Sequence, residues 1–85
     1  MTEQQIQKKI IDYLKSKGAY VEKAVLMSTS GSPDIRCCYK GRFIAFEVKK
    51  PGKSLTKLQE VKLQKIRDAG GIGEKAESLE DAIKI

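Results

Sequence analysis

A two-residue connection, Lys40-Gly41, separates two runs of strand-forming residues and constrains the fold of this chain more than any other feature of its sequence. The first run covers 34–39 and the second covers 42–49, and both are rich in apolar and aromatic side chains. A short connection that contains glycine between two such runs is typical of a tight antiparallel hairpin. The sequence therefore predicts two paired strands whose register is set by the turn.

The register of this hairpin brings two acidic residues together. When Tyr39 faces Arg42 across the turn, Asp34 faces Glu47, and opposed residues have Cβ atoms about 4.5–5.5 Å apart. Two carboxylates at that distance repel each other, whereas a divalent cation between them turns the pair into a binding site. Oxygen ligands without nearby sulfur or imidazole favour Mg²⁺ or Mn²⁺ over Zn²⁺. A three-residue loop would break this register, so the pairing depends on the short turn.

Lys49 lies two residues beyond Glu47 and therefore emerges on the same face of the strand. An amine in that place can orient a water molecule activated by the metal and stabilise charge that develops on a phosphate. A Glu-x-Lys sequence on its own is usually a solvated pair, but a carboxylate opposite the glutamate favours a functional role. Together the three groups match metal-assisted hydrolysis of a phosphodiester bond.

Helical and strand patterns alternate along the rest of the chain. Thr2 and Gln5 form a capping box at the start of the first helix, and Gly18 is a natural stop. The pattern predicts one α/β domain over residues 1–85, a mixed β-sheet flanked by helices in the order α-β-β-β-α-β-α. The predicted helices cover 2–18, 56–69 and 78–84, the remaining strands cover 20–27 and 72–76, and the expected inner face of the second helix is Leu58, Val61, Ile66 and Ala69.

The charge of the chain indicates an anionic partner. There are 17 basic and 11 acidic residues, which give a net charge of +6. Residues 34–67 contain ten Lys or Arg and three Asp or Glu, so the positive charge is concentrated there. Such a stretch fits nucleic acid, because the release of counterions from phosphates favours binding. A solvated, lysine-rich surface is the alternative interpretation.

Composition excludes several kinds of chemistry. The chain has no histidine, which rules out Ser-His and Cys-His catalysis and histidine-ligated zinc or iron. Its two cysteines, Cys37 and Cys38, are adjacent in a strand and should point to opposite faces, so no disulfide between them is expected. A polar start without a signal-peptide pattern or an apolar run of membrane length predicts a cytoplasmic protein.

Three motifs carry a resemblance to a known family: GSPDI at 31–35, FEVK at 46–49 and LTKLQ at 55–59. Their order and spacing closely resemble the VRR-NUC branch of the PD-(D/E)XK nucleases, along nearly the whole chain. The resemblance implies a restriction-endonuclease-like fold and a DNA endonuclease that depends on Mg²⁺ or Mn²⁺. The small size is similar to that of standalone phage and bacterial members, which are homodimers that cut four-way (Holliday) DNA junctions.

The resemblance also assigns roles to residues of the catalytic strand pair. The positions that match Asp34 and Glu47 bind the metal in that family, and the position that matches Val48 lends its backbone carbonyl. The lysine that matches Lys49 assists the attacking water. All of these residues are present in this sequence without departure from the core motif.

Two further site residues, Gln59 and Glu3, are implied by the resemblance. The matching glutamine, at the start of the second long helix, supports the site, and so does an acidic residue on the first helix. Each has a structural alternative. Gln59 can complete a capping box with Thr56, and Glu3 lies in a first helical turn, where an acid interacts favourably with the helix dipole.

The DNA-binding residues expected around the site are basic or hydroxylic. Lys50, Lys53 and Lys57 follow the catalytic strand closely enough to contact flanking phosphates, and Ser30 belongs to a polar loop that can donate hydrogen bonds to a phosphate. The alternatives are an exposed basic loop and a loop that is simply polar. At the level of function, the competing interpretations are a non-catalytic nucleic-acid-binding module and a nuclease that acts on flaps or RNA.

Overall fold

A mixed sheet with helices on both faces is formed by residues 1–24 and 31–85, the part of the chain that the computed structural model describes. The order α-β-β-β-α-β-α and the α/β class are as predicted. The elements are α1 (Glu3–Ser16), β1 (Tyr20–Lys23), β2 (Ile35–Tyr39), β3 (Arg42–Val48), α2 (Lys57–Asp68), β4 (Ile72–Ala76) and α3 (Leu79–Ile83).

The β2–β3 hairpin has the predicted register. Tyr39 pairs with Arg42 and Ile35 pairs with Phe46 on antiparallel strands. The two turn residues both adopt the left-handed conformation, with φ of 50° at Lys40 and 79° at the glycine that follows. This is the backbone shape that a two-residue hairpin turn requires. The strands lie in the order β1-β2-β3-β4, with β1 antiparallel to β2 and β4 parallel to β3.

One face of the sheet packs against α1 and contains most of the core. Ala82 of α3 joins this cluster. Because successive strand residues point to opposite faces, Glu47 lies on the other face, between two of these buried side chains in sequence. The buried apolar residues contributed by α1, β2 and β3 are Ile6, Ile10, Leu14, Ile35, Cys37, Ile44, Phe46 and Val48.

The second face packs against α2, and here the predicted inner face of the helix was wrong in part, since Ile66 does face the sheet but Leu58 and Val61 do not. Leu58 is 45% exposed and Val61 is 38% exposed, whereas Leu63 is 1% exposed and is the buried residue of α2. The reason is that Gln59, one turn before Leu63, occupies an inward position that a search for apolar periodicity overlooks. Close packing is possible because β4 carries Gly73, where a Cβ would lie 2.9 Å from the Leu63 carbonyl oxygen.

Smaller expectations from the sequence can also be compared. Cys37 is buried and Cys38 is exposed, and neither forms a disulfide, as their adjacency predicts. The predicted first strand extended to residue 27, whereas β1 ends at Lys23, and residues 25–27 lie outside the described part of the chain. None of the described helices is long and apolar enough to cross a membrane.

Candidate active site

The acids Asp34 and Glu47 lie at the end of the β2–β3 hairpin that is opposite its turn. Asp34 immediately precedes Ile35, whose partner Phe46 immediately precedes Glu47. The Asp34 Oδ2 atom accepts a hydrogen bond of 2.8 Å from the backbone N–H of Val48. This contact spans the two strands and fixes the Asp34 carboxylate beside the end of β3.

Glu47 is a buried carboxylate in an unusual environment. Only 3% of the residue is exposed, and its Oε1 atom has no hydrogen-bond partner among residues 1–24 and 31–85. Burial is the main cause, and the neighbouring Asp34 carboxylate the second, of a rise in the pKa of Glu47 from 4.5 to about 8. The charge on Lys49 lowers the pKa of Glu47 and the charge on Glu3 raises it. These four predicted residues are therefore close enough to interact electrostatically.

Lys49 follows the last residue of β3, and its backbone N–H donates a hydrogen bond of 3.0 Å to the Ala76 carbonyl oxygen of β4. Strand geometry is thus maintained through Lys49, although its side chain is only half-buried. A lysine two residues beyond Glu47 on an extended chain lies on the same side of the sheet. The Lys49 side chain therefore lies on the same side of the sheet as Glu47, as the sequence predicts.

Gln59 makes contacts with both the start of α2 and the candidate site. Its side-chain oxygen accepts a hydrogen bond of 2.9 Å from the Thr56 backbone N–H, and its own backbone N–H donates to Thr56 Oγ1 at 3.2 Å. Its side-chain nitrogen donates to Glu47 Oε2 at 3.3 Å. The capping box engages the amide oxygen, which leaves the amide nitrogen to face the buried acid.

Glu3 links the start of α1 to the residues that follow β3. Its Oε2 atom accepts a hydrogen bond of 3.3 Å from the backbone N–H of Lys50. Among the described residues, however, no group of three or more His, Cys, Asp or Glu side chains is arranged to hold a metal ion. Of the three acids, Asp34 and Glu47 are adjacent at the end of the hairpin, and the charge on Glu3 has the smallest effect on Glu47.

The chemistry of these donors suits a hard divalent cation. Asp34 and Glu47 supply oxygen atoms only, and Glu47 Oε1 is a buried acceptor without a donor. A buried polar atom without a partner is destabilising, and two adjacent carboxylates repel. A cation bound between them would relieve both penalties, and oxygen ligands are those that Mg²⁺ and Mn²⁺ prefer.

The predicted basic residues beyond β3 form a tight turn. Lys53 N–H donates to the Lys50 carbonyl oxygen at 3.0 Å, and Gly52 has a φ of 86°. Proline at the second position and glycine with positive φ at the third are typical of a type II turn. Lys50 and Lys53 are exposed, as is Lys57 in the first turn of α2. The hydroxyl predicted to contact phosphate, Ser30, lies outside the described residues.

Glu77 is a contributor to this region that the sequence analysis missed. Its Oε2 atom accepts a hydrogen bond of 2.7 Å from Gly52 N–H and lies 3.3 Å from Lys75 Nζ. These contacts, the first more than the second, lower the pKa of Glu77. A glutamate 25 positions from its partner gives no sequence signal, because the contact depends on β4 lying next to β3.

The geometry can be compared with that of known proteins. A solved structure described as a VRR_NUC domain superimposes with a TM-score of 0.83 at 23% sequence identity, covering 96% of this chain and 90% of that chain. Neither a family model nor a curated protein matches the chain. The structural likeness shows that the chain has the fold of that VRR_NUC domain, and it confirms the fold that the motifs predict.

Proposed function

We propose that this chain is a metal-dependent nuclease that hydrolyses phosphodiester bonds in DNA. One observation supports it above all: Glu47 is buried beside Asp34 with an unpartnered carboxylate oxygen and a raised pKa, and Lys49 adjoins the pair. A structural role does not require two acids at one end of a hairpin. The fold of a VRR_NUC domain gives independent support.

Asp34, Glu47 and the Val48 backbone carbonyl are the groups that would hold Mg²⁺ or Mn²⁺, with Glu3 as a more distant acid. A bound cation supplies Lewis-acid polarisation of the phosphate and lowers the pKa of water. The contribution of the chain is to hold the carboxylates that would bind the metal. The Val48 N–H holds Asp34, and the Gln59 amide holds Glu47.

Lys49 supplies positive charge where the reacting phosphate becomes more negative. Its ammonium group also has protons with which to orient the attacking water. Because β3 is held on both sides by neighbouring strands, the backbone position of Lys49 is set before substrate arrives. Such preorganised charge is typically the largest single contribution to this kind of catalysis.

The exposed lysines of the turn after β3 suit the flanking phosphates. Lys50 and Lys53 project from the type II turn, and Lys57 begins α2 on the other side of the connection. The backbone of this turn is held by hydrogen bonds from Lys50 N–H to Glu3 and from Gly52 N–H to Glu77. The turn can therefore bring its lysines to a phosphate without a change in backbone conformation. Ser30 is retained as a proposed phosphate contact on sequence grounds alone.

We further propose that the active form is a homodimer that cuts a branched DNA, in particular a four-way (Holliday) junction. A domain of this size buries a smaller fraction of its surface than a larger domain does, and an interface between two copies would cover apolar residues. Ile83 and Ile85, at 48% and 47% exposure, are candidates in the C-terminal segment. A two-fold axis would place two equal sites on opposing strands of a junction.

The test is cleavage of end-labelled substrates of matched sequence: a four-way junction, a flap, a linear duplex and an RNA strand, each with Mg²⁺. The proposal expects symmetric cuts in the junction and sedimentation at about twice the 9.5 kDa chain mass. Preference for flaps or RNA would revise the substrate but keep the nuclease. Binding without cleavage of any substrate would favour the non-catalytic nucleic-acid-binding module.

A further inference from the structure

A groove runs between α2 and the part of the sheet around Phe43, and Pro33 at its edge immediately precedes Asp34 of the candidate active site. It has a volume of about 410 Å³. We call it the α2 groove, and six residues that line it are Pro33, Phe43, Lys62, Lys65, Ile66 and Gly71. None of these residues has a role in the site described above.

Both walls of the α2 groove include residues that are close in the chain to candidate site residues. Phe43 and Glu47 lie on the same face of β3, about 13 Å apart for four residues of extended strand. Pro33 immediately precedes Asp34. On the helical wall, Lys62 lies one turn beyond Gln59, whose amide contacts Glu47. Helix α2 covers the face of β3 between Glu47 and Phe43, where Ala45 is fully buried, so a DNA strand would pass from the site to this groove on the Pro33 side.

The chemistry of the groove combines an aromatic ring with unpaired cations. Phe43 is 44% exposed, although it belongs to an inner strand of the sheet. Lys62 and Lys65 form no ion pair with any residue in the described ranges 1–24 and 31–85. On the far side of Phe43, Arg36 lies 3.9 Å from Glu22 in an ion pair, and its buried Nε atom has no hydrogen-bond partner within residues 1–24 and 31–85. Aromatic rings flanked by cations bind single-stranded nucleic acid by stacking and charge.

We propose that the α2 groove binds an unpaired nucleotide of the substrate, with its base stacked on Phe43 and its phosphates next to Lys62 and Lys65. The inference rests on the proposed nuclease function but not on the four-way junction, because it requires a branched substrate that has an unpaired or opened base near the branch. A paired base is already stacked inside its helix, so only an unpaired or opened base offers a free face to the ring. The distance from Phe43 to Glu47 corresponds to about four nucleotides of a stacked strand, and fewer of an extended one.

The first test identifies which base of the substrate contacts Phe43. A DNA duplex with a single-stranded thymidine arm carries 5-iodouracil at one arm position at a time, and is irradiated with the full chain in EDTA so that no metal-dependent cleavage interferes. The proposal expects a crosslink to Phe43 from positions within about four nucleotides of the branch, identified by mass spectrometry. Crosslinks that are spread over the surface, without enrichment at Phe43, would contradict it.

The second test uses variants of Phe43 and the two lysines. Phe43→Leu keeps an apolar side chain but removes the ring, and should weaken binding of the arm-bearing duplex by about tenfold, with Phe43→Trp restoring it. Binding of a blunt duplex should not change. Lys62→Ala and Lys65→Ala should each reduce the salt dependence of binding by about 0.7–0.9 in log–log slope. Lys15→Ala, on α1 across the sheet, is the matched control.

The outcomes separate this inference from the proposed function. If the wild-type chain cleaves DNA and Phe43→Leu binds the arm as tightly as wild type, the inference is overturned and the nuclease stands. If the wild-type chain cleaves no substrate, but the crosslink to Phe43 and the loss of binding by Phe43→Leu are both found, the nucleotide-binding inference is supported and the proposed nuclease function is rejected. If Phe43→Leu instead converts a dimer to a monomer in sedimentation, a second copy covers this face and the inference is overturned.

Discussion

Gln59 donates a hydrogen bond from its side-chain nitrogen to Glu47 Oε2 at 3.3 Å while its side-chain oxygen accepts the Thr56 N–H at 2.9 Å. The start of α2 therefore aims an amide at the buried acid. The helix and the site share this residue, so a substitution that keeps the cap but not the donor can separate the two roles.

Gln59→Glu is that substitution, because a glutamate at this position still accepts the Thr56 N–H. It replaces the donor facing Glu47 with a second carboxylate, and we expect cleavage to slow by about 10–100-fold, as when other residues that orient metal ligands are changed. Circular dichroism should show that α2 still forms. Gln59→Ala, which loses the cap as well, should also lower stability by about 1 kcal/mol. Wild-type rates for Gln59→Glu would mean that Gln59 only caps the helix.

Stability of the metal-free chain should fall as pH rises. The pKa of Glu47 is raised to about 8, chiefly by burial, whereas in the unfolded chain the group titrates near 4.5. Between these values the folded state holds a proton that the unfolded state has released, so rising pH favours unfolding. The contribution is fully present below about pH 4.5 and is lost as pH approaches about 8.

Thermal unfolding at a series of pH values checks this, with Glu47→Gln as the comparison. The amide cannot ionise, so its Tm should depend less on pH across this window, and it should be the more stable protein near pH 8. Mg²⁺ should raise the Tm of the wild-type chain most at the alkaline end, where Glu47 can give up its proton to bind the cation. Parallel curves for the two proteins would show that Glu47 titrates normally.

Lys49 should affect the chemical step far more than binding. Lys49→Ala should lower the cleavage rate by about 10²–10³-fold, the usual loss when one preorganised stabilising group is removed. Substrate affinity should change by less than about tenfold, since one lysine among many supplies a small part of the phosphate attraction. Single-turnover cleavage and equilibrium binding measure the two effects. Lys15→Ala, which changes an exposed lysine of α1, is the control. Equal losses of rate and affinity for Lys49→Ala would mean that Lys49 is a phosphate contact only.

Glu77 should act on substrate binding through the turn that it anchors. Glu77→Gln weakens the acceptor for Gly52 N–H and removes the ion pair with Lys75. We expect weaker DNA binding with an unchanged single-turnover rate at saturating substrate, although the substitution makes the chain more positive. The expected decrease in DNA affinity is informative, because added positive charge alone would strengthen binding. Tighter binding by Glu77→Gln would show that the anchor has no role.

Much of the fold could be predicted because its signals are local. The Lys40-Gly41 turn determines the hairpin register, and the capping boxes at Thr2 and Thr56 fix where two helices begin. The inner face of α2 was missed because a polar residue, Gln59, occupies an inward position there. Patterns of apolar residues cannot reveal a buried polar contact whose partner lies on another element.

In the candidate site, too, the contacts within one local element could be predicted and the contacts between distant elements could not. The proximity of Asp34 and Glu47 followed from the register, since both belong to one hairpin. The contact between Glu77 and Gly52 could not be predicted, because it needs the parallel placement of β4 beside β3. The burial of Glu47 was equally hidden, because it depends on α2 covering that face of the sheet.

The central claim is that Asp34 and Glu47 act together on a divalent cation to cleave DNA. The most direct measurement is cleavage of a labelled four-way junction by wild type, Asp34→Ala and Glu47→Ala, each with Mg²⁺, Mn²⁺, Ca²⁺ or EDTA. Asp12→Ala, which changes an exposed acid of α1 paired with Lys8, is the matched control. The account predicts cleavage by wild type and the control with Mg²⁺ or Mn²⁺ only, and almost none by either site variant, although both still bind DNA. Full cleavage in EDTA, or wild-type rates from Glu47→Ala, would contradict it.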